Sequence, residues 1–294
     1  MDTDRQLYEE AATGWQRGLY DDIRRTLRAP TVNWIFRTLI ANEPEFTRYL
    51  WGQVKPIFQT RAFGRVSVAY RATVYEELEA EENLPRYCLG QLDVSPAEFT
   101  ELKGQIATFD VAAPRLATLF EVVDRSLNGG DVGTDPDRSR AACEPIQAWL
   151  DHDRGRPATM VDADAIPAEL ESTIESIRAY HGLEGGLPSI YRLMAQWPGY
   201  LKPMWADVEP VLESDAFESA VEASARVVET HVESLPCAPA LTPEALEVQG
   251  FDAETIEDLQ ELFEMFNRGP IERVVPALPV FAYTVGAEGR RRLD

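Results

Sequence analysis

The side chains most often used for nucleophilic, redox and metal chemistry are few in this sequence and widely spaced. It contains three cysteines and three histidines, and no pair of them has the spacing of a C-x-x-C or an H-x-x-x-H motif. Those spacings place two thiols or two metal ligands on one turn or one helix face. The sequence therefore predicts neither a metal site nor a disulfide framework, and we expect chemistry without a cofactor.

Carboxylates are the abundant chemical groups. Fifty acidic residues face 28 basic ones, giving a net charge of −22, and only Lys55, Lys103 and Lys202 are lysines. Such a surface repels phosphate backbones, so nucleic acid is not an expected partner. An acidic surface with almost no lysine is typical of proteins that work in molar salt, where charge repulsion is screened within about 3 Å. We interpret the charge as adaptation to salt.

The composition is that of a globular protein with a substantial core. The chain has 294 residues, of which 45% are apolar, and this length suits one large domain or two ordinary ones. The most apolar stretch, Val274 to Tyr283, is too short to span a bilayer and contains two prolines. The first ten residues lack the basic and apolar stretches of a secretory signal. We expect a cytoplasmic protein without a membrane partner.

The strongest pattern is an internal repeat with an offset of 154 positions. The two halves align without a gap over about forty residues, at a density of matching prolines and tryptophans that chance seldom produces. The matched pairs are Pro44 and Pro198, Trp51 and Trp205, Val54 and Val208, Pro56 and Pro210, and Ala62–Phe63 and Ala216–Phe217. The sequence therefore predicts a tandem duplication.

Both halves also carry apolar stripes at helical spacing. The two stripes with the same spacing are Phe99, Leu102, Ile106 and Phe109, and Ile256, Leu259, Phe263 and Phe266. Each predicts an amphipathic helix of about three turns, with Ser95 or Asp252 as its N-cap. No stretch has the period-two alternation of a strand. We predict an all-α fold in which two helical units pack about a pseudo-twofold axis.

Turn-rich segments mark the boundaries between these units. The segment 128–136 is rich in glycine and aspartate, and 151–167 is rich in Asp, Arg, Pro and Ala. We place the first helical repeat at 1–126, a connecting segment at 127–165 and the second repeat at 166–294. Within the connection we expect a short helix at 141–150, and we expect the tripeptide 151–153 (Asp-His-Asp) to be exposed.

Several short motifs resemble those of the group I 2-haloacid dehalogenases, the DehI family. They lie at Asp22–Pro30 and Pro44–Trp51 in the first half, and at His181–Gly182 and Ser189–Pro198 in the second. The resemblance covers most of the chain and includes the duplication. Each half also resembles the alkylhydroperoxidase-D-like helical unit, whose peroxidase members use a C-x-x-C pair. The corresponding region here has the single thiol of Cys88, which excludes that peroxidase chemistry.

The resemblance implies a hydrolase that cleaves the carbon–halogen bond of short 2-halocarboxylic acids such as 2-chloropropionate. In this family an aspartate takes a proton from a water, which displaces the halide with inversion and without an ester intermediate. Such a site needs a base, a second polar group that holds the water, and an apolar pocket for the halide. The substrate carboxylate requires backbone N–H groups or a cation nearby. The resemblance also suggests a homodimer.

Two of the three positions that carry this reaction in the family have other side chains here. The catalytic aspartate, which follows a serine, corresponds to Ile190 after Ser189, and the water-holding asparagine corresponds to Ala113. The pocket tryptophan corresponds to Thr31, and Trp34 could fill the same space. Because isoleucine cannot abstract a proton and alanine cannot hold a water, the sequence predicts a family scaffold with an altered site.

Other residues could replace the missing groups. Glu184 lies in a glycine-bearing loop near position 190, and Asp110 ends the first stripe, but both could also be solvated acids. At the matching place in the second half, Asn267 and Arg268 could bind a carboxylate. Alternatively they end a helix, with Gly269 in a left-handed conformation.

Three functional hypotheses therefore stay open. The first is a dehalogenase with a relocated base, the second is a different enzyme on the same scaffold, and the third is a non-catalytic protein that binds a small carboxylic acid, a halocarboxylic acid or an apolar ligand. In all three hypotheses the pocket candidates are Thr31, Trp34, Ala113, Ser189, Ile190 and Tyr191. Ser189 is also predicted to cap its helix. An acid facing Ile190 would favour catalysis, whereas an apolar wall would favour binding.

Overall fold

The computed structural model describes residues 1–81, 84–162, 164–183, 186–269 and 272–293. Within these ranges the fold is helical and has no strand, which confirms the all-α prediction. The first five helices are α1 (Gly14–Leu27), α2 (Trp34–Asn42), α3 (Pro44–Phe58), α4 (Arg61–Glu81) and α5 (Pro96–Asn128). The later helices are α6 (Glu171–His181), α7 (Ser189–Met194), α8 (Pro198–Leu212), α9 (Asp215–Glu233), α10 (Pro243–Gln249), α11 (Ala253–Arg268) and α12 (Val274–Thr284). No helix in the described ranges is long and apolar enough to cross a membrane.

Local sequence explains where the stripe helices begin. The Ser95 hydroxyl accepts a hydrogen bond from the Glu98 amide, and the Glu98 carboxylate accepts one from the Ser95 amide, which forms a capping box. Asp252 Oδ1 likewise accepts from the Thr255 amide at 2.9 Å. The predicted N-caps are confirmed. The prediction of three turns is wrong for α5, which has 33 residues and ends only at Gly129, where φ is 75°.

The helices of the two halves pack against each other rather than forming separate cores. Helix α4 lies along α9, and α5 packs against both α11 and α12. A single hydrophobic cluster contains buried residues from the first helix to the last. Helices with one apolar face need such partners, because a single stripe is buried only when another element covers it.

The connecting segment does not form the predicted helix at 141–150. A short 3-10 turn at Arg140–Ala142 is followed by Pro145, which forms an isolated antiparallel bridge with Thr60. The next amide, that of Ile146, donates to the Gln59 carbonyl at 2.8 Å. Proline has no amide hydrogen to continue a helix, so this segment instead runs alongside the junction of α3 and α4.

Asp151 is buried, and the prediction that it would be exposed is wrong. Its side chain is 1% exposed and lies among three arginines, with Oδ2 2.7 Å from Arg115 Nη2 and Oδ1 3.3 Å from Arg71 Nη2 and 3.6 Å from Arg154 Nε. His152 and Asp153 are exposed, as expected. Burial alone would raise the pKa of Asp151, but the three guanidinium charges overcome it and hold that pKa well below its usual value.

Candidate functional site

A small cavity lies where the first turns of α2 and α7 meet the middle of α5 and the ends of α11 and α12. Its volume is about 60 Å³. The apolar residues that line it are Val32, Trp34, Ile35, Phe109, Leu116, Phe120, Met160, Pro188, Ile190, Phe266, Val274, Val275 and Leu278. Thr31, Asn33, Arg37 and Ser189 supply the polar groups. As far as the chain is described, the site is a mostly apolar pocket with one charged side chain, that of Arg37.

Four of the six predicted pocket residues meet at this cavity. Helix α2 begins at Trp34 and α7 begins at Ser189, so the first turn of each helix faces the same space. Thr31 and Ile190 complete the group. The Trp34 ring meets the Phe266 ring edge-on, with centroids 5.2 Å apart. The contact joins α2 to the end of α11 and closes that side of the pocket.

Ala113 and Tyr191 do not line the cavity. Ala113 is fully buried within α5. Tyr191 follows Ile190 on α7 and therefore points about 100° away around the helix. Its hydroxyl lies 2.6 Å from His181 Nε2, and its ring packs against Trp205. Both side chains belong to the hydrophobic core rather than to the cavity wall.

Ser189 does not cap α7 as predicted. Pro188 occupies the N-cap position and Ser189 is the first helical residue, so no side chain caps this helix. The Ser189 hydroxyl instead accepts a hydrogen bond from Arg37 Nη2 at 3.3 Å. The serine therefore presents its oxygen to the polar edge of the cavity.

Arg37, the charged residue among the described lining residues, was not predicted from the sequence. It is 2% exposed, and its three hydrogen-bond acceptors are all uncharged. Nε donates to Gln6 Oε1 at 3.0 Å, Nη1 to the Val32 carbonyl at 2.8 Å and Nη2 to the Ser189 hydroxyl. Burial lowers the pKa of Arg37, and the nearby Tyr8 and Glu9 offset this only in part. Among the described residues, no carboxylate forms an ion pair with this buried cation.

A signal for Arg37 does exist in the sequence. It stands three residues after Trp34 in the largely apolar stretch Trp-Ile-Phe-Arg-Thr-Leu-Ile, so both side chains share one helix face. A charged residue within an apolar helix has to find a polar partner or a ligand, because burying it unpaired is costly.

Asp110 does not line the cavity. Its side chain is fully buried, so the alternative of a solvated acid is wrong. Arg71 Nε lies 2.9 Å from its Oδ2, Arg154 pairs with the same oxygen, and the Gly289 amide donates to it at 3.0 Å. With Arg71, Arg115, Asp151 and Arg154 it forms a buried ion cluster away from the cavity. Glu184 lies outside the described residues. No cavity-lining residue in the described ranges carries a carboxylate.

Asn267 and Arg268 bind carboxylates of the protein itself, those of Glu121 and Asp124 on α5. Asn267 Nδ2 donates to Glu121 Oε2 at 2.9 Å and to Asp124 Oδ2 at 2.7 Å, and Arg268 Nη2 donates to Glu121 at 3.1 Å. Gly269 is not left-handed as predicted, since its φ is −102° and ψ is −158°. These side chains therefore join the end of α11 to α5.

Two buried histidines make stability depend on pH. Burial lowers the pKa of His231 to about 4, and burial together with Arg273 lowers that of His181 to about 4. Because unfolded histidine titrates near ~6.5, protons bind the unfolded chain first as the pH falls. We expect the free energy of unfolding to fall between pH 6.5 and pH 4, by up to about 1.4 kcal/mol per pH unit for each histidine.

Denaturant titrations at a series of pH values measure this slope. His231→Gln should remove about half of it between pH 6.5 and 5, above the range in which most carboxylates titrate. His152→Gln, at an exposed position, is the control and should leave the slope as it is. An unchanged slope in the His231 variant would contradict the assignment.

The fold matches solved structures over nearly its whole length. A structure described as the complex of D-2-haloacid dehalogenase with L-LA has a TM-score of 0.83, covers 96% of this chain and 96% of its own, and is 19% identical. A mutant of D-2-haloacid dehalogenase has a TM-score of 0.81 at 18% identity, covering 96% of this chain and 94% of its own. At these identities the likeness shows the fold, an all-helical one of the 2-haloacid dehalogenase type.

Sequence comparisons lead to the same family. The model described as halocarboxylic acid dehydrogenase DehI matches residues 30–179, and the chain belongs to this family. An (R)-2-haloacid dehalogenase of Rhizobium sp. (strain NHG3) is 26% identical over 223 residues, which cover 71% of this chain and 79% of that protein. A configuration-inverting 2-haloacid dehalogenase of Pseudomonas sp. (strain 113) is 24% identical over 229 residues, covering 77% and 74%. The chain is a 2-haloacid dehalogenase-like protein.

Proposed function

We propose that this protein binds a small 2-halocarboxylic acid, or a carboxylic acid of the same shape, in the cavity between α2 and α7. The ligand carboxylate pairs with Arg37, and its carbon and halogen atoms lie against Trp34, Ile190 and the phenylalanines. We further propose that the unaltered protein does not hydrolyse the carbon–halogen bond by the family mechanism. The observation that carries the proposal is a buried Arg37 that pairs with no anion among the described residues, at the edge of a mostly apolar pocket.

The size of the cavity suits such a ligand. One water-sized group needs about 10–15 Å³ of cavity volume when the volume is measured with a water-sized sphere. The 60 Å³ of the pocket therefore accommodates about four to six such groups, roughly a three-carbon halogenated acid. A guanidinium presents N–H groups in the planar arrangement that a carboxylate accepts, and such charge-assisted bonds are the strong ones in a dry site.

The missing base argues against hydrolysis. The family mechanism needs a carboxylate to take a proton from the attacking water. Isoleucine occupies that position at the cavity wall, and the buried Asp110 is engaged by two arginines. The described lining residues offer no other acid, so the geometry favours binding over turnover.

Two measurements on the same preparation test this proposal. Calorimetry should detect binding of (R)- or (S)-2-chloropropionate, and halide release should not exceed that of a heat-treated control. The buffer should contain molar potassium salt without halide or carboxylate, and circular dichroism should confirm a helical protein. Release above the control would overturn the proposed lack of hydrolysis and favour the hypothesis of a relocated base. Absence of binding to either enantiomer would overturn the proposed ligand.

Arg37→Met provides the matched test of the anion site. Methionine keeps an unbranched apolar side chain of similar length but removes the charge. We expect the affinity for 2-chloropropionate to fall by about a hundredfold, as for loss of a charge-assisted hydrogen bond in a desolvated site. Arg48→Met, at an exposed position with an i,i+3 partner, should leave the affinity unchanged. Equal affinity in both variants would contradict the role of Arg37.

We also propose that the chain is a tandem duplication of helical units at 1–126 and 166–294, joined by 127–165 and each of the alkylhydroperoxidase-D-like type. Helices α3 and α8 support this, since both have 15 residues and begin at prolines 154 positions apart. Trp51 Nε1 donates to Asp22, and Trp205 Nε1 donates to Ser176, which lies 154 positions after Asp22.

The acidic composition supports a further proposal about the environment of the protein. With a net charge of −22, it is suited to a cytoplasm of high salt, where screening weakens repulsion between carboxylates. We propose that it works there as a homodimer, the assembly that the family resemblance suggests. Sedimentation in molar and in dilute potassium salt tests both statements, since a salt-adapted dimer should dissociate or unfold when diluted into low salt.

A further inference from the structure

We infer that Gln6 is a positioning residue that aims the Arg37 guanidinium into the cavity, and that it thereby gives the site its preference for a carboxylate over a neutral acid derivative. The inference rests on the proposed function, because it concerns how the same site recognises its ligand. The contacts of the chain before α1 carry it.

Residues 3–9, which we call the N-terminal strap, run alongside α2. The Thr3 carbonyl accepts a hydrogen bond from Trp34 Nε1 at 3.2 Å, and the Leu7 amide donates to the Arg37 carbonyl at 3.1 Å. Glu9 Oε1 accepts from the amide of Val32 at 2.7 Å. The strap therefore holds three residues that line the cavity, although no strap residue lines it.

The strap fixes the guanidinium plane of Arg37 on two sides. Gln6 Oε1 accepts a hydrogen bond from Arg37 Nε at 3.0 Å. The guanidinium carbon lies over the face of the Tyr8 ring, 5.1 Å from the ring centroid. The Val32 carbonyl accepts a hydrogen bond from Nη1 and so holds the guanidinium from a third direction. Because guanidinium N–H groups lie in one rigid plane, these contacts leave the Nη2 edge for the cavity, where a hydroxyl is its present acceptor.

The Nη2 bond to Ser189, at 3.3 Å, is the longest of the three and the one that a ligand oxygen can replace. A free arginine side chain loses substantial rotamer freedom when it is immobilised by a ligand. An arginine that is already held in place binds a ligand more tightly, because its side chain loses less conformational entropy when the ligand binds. Gln6 makes its contact at Nε, the atom nearest the flexible stem, so it controls the direction of the whole group.

Gln6→Leu tests this role with a matched pair of probes, 2-chloropropionate and its neutral analogue 2-chloropropionamide. We expect the variant to bind the carboxylate about tenfold more weakly and the amide with unchanged affinity, since loss of one hydrogen bond to a charged group has roughly this effect. Gln6→Glu keeps an acceptor at the same place but sets an anion beside Arg37, so it should also weaken binding of the carboxylate and leave that of the amide unchanged. Gln53→Leu, which removes a hydrogen bond to the Ala240 amide elsewhere, is the control.

A second readout examines the arginine without ligand. In nitrogen-15 NMR spectra of the full-length protein, the Arg37 Nε–H should exchange slowly with water in the unaltered protein and at least tenfold faster in Gln6→Leu, because its acceptor is gone. Equal weakening of carboxylate and amide, or unchanged exchange, would show a merely structural contact and overturn the inference.

The outcomes separate this inference from the proposed function. A preference for carboxylate that Arg37→Met abolishes but Gln6→Leu leaves intact would overturn the positioning role alone. Failure of the unaltered protein to bind either probe would overturn the proposed function and the positioning role together.

Discussion

Asp151→Asn is expected to lower the free energy of unfolding by about 3–5 kcal/mol, the cost of breaking a buried ion pair on one side. The variant leaves Arg71, Arg115 and Arg154 with one fewer anion in a site where the Asp151 side chain is 1% exposed. The five members of the buried ion cluster include only two acids, so the loss leaves three cations facing Asp110. Chemical denaturation with circular dichroism measures the change.

Asp153→Asn is a closely matched control. Asp151 and Asp153 both have a left-handed backbone, with φ of 57° and 52°, a conformation that asparagine also tolerates. The substitution therefore adds no backbone strain at either place, and only the surroundings differ, since Asp153 is 86% exposed. We expect a change within about 0.5 kcal/mol at Asp153. Similar losses in both variants would show that burial of the charge is not the cause.

The same ion cluster predicts a pH dependence with a defined sign. Because the folded-state pKa of Asp151 lies below the value of about 3.9 in an unfolded chain, its contribution is complete above about pH 4. It is lost as the pH falls towards the folded-state pKa. The stability difference between the unaltered protein and Asp151→Asn should therefore shrink below pH 4. A difference that stays constant would contradict this assignment.

Ile190→Asp is expected to give the protein halide release from 2-chloropropionate, at a rate about a hundredfold or more above the unaltered chain, which is the low end of what a general base contributes. Position 190 lies on the cavity wall and follows the serine that contacts Arg37. A carboxylate there faces the space in which we place the ligand. The measurement is initial halide release at several pH values, which should rise as the new acid ionises.

Ile190→Asn separates the base from a change of pocket shape. Asparagine has nearly the size of aspartate but takes no proton, so it should release no halide above the unaltered protein. We leave Ala113 unchanged, because it is fully buried outside the cavity and a larger side chain there would overpack α5. Equal rates for the aspartate and asparagine variants would contradict the proposed location of the substrate.

The sequence determined the elements and several of their ends. Ser95 and Asp252 cap their helices as predicted, because capping depends on an amide three residues away. The apolar stripes were correctly predicted to be helical, because a period of 3.6 residues can be recognised from neighbours along the chain. The sequence placed Trp34 and Ile190 among the pocket candidates, and both line the cavity. It also pointed to Ala113, which does not line it.

Only the tertiary structure decided which charged groups are buried and which partners they have. The polar tripeptide that contains Asp151 predicts an exposed acid. Its partners Arg71 and Arg115 lie 80 and 36 positions earlier in the chain. Arg37 likewise depends on Gln6, 31 positions earlier, and on Ser189, 152 positions later. Hydrogen bonding within a helix turn is fixed by neighbours along the chain. Desolvation and ion pairing depend on what surrounds a group in space, and only the packed helices supply those surroundings.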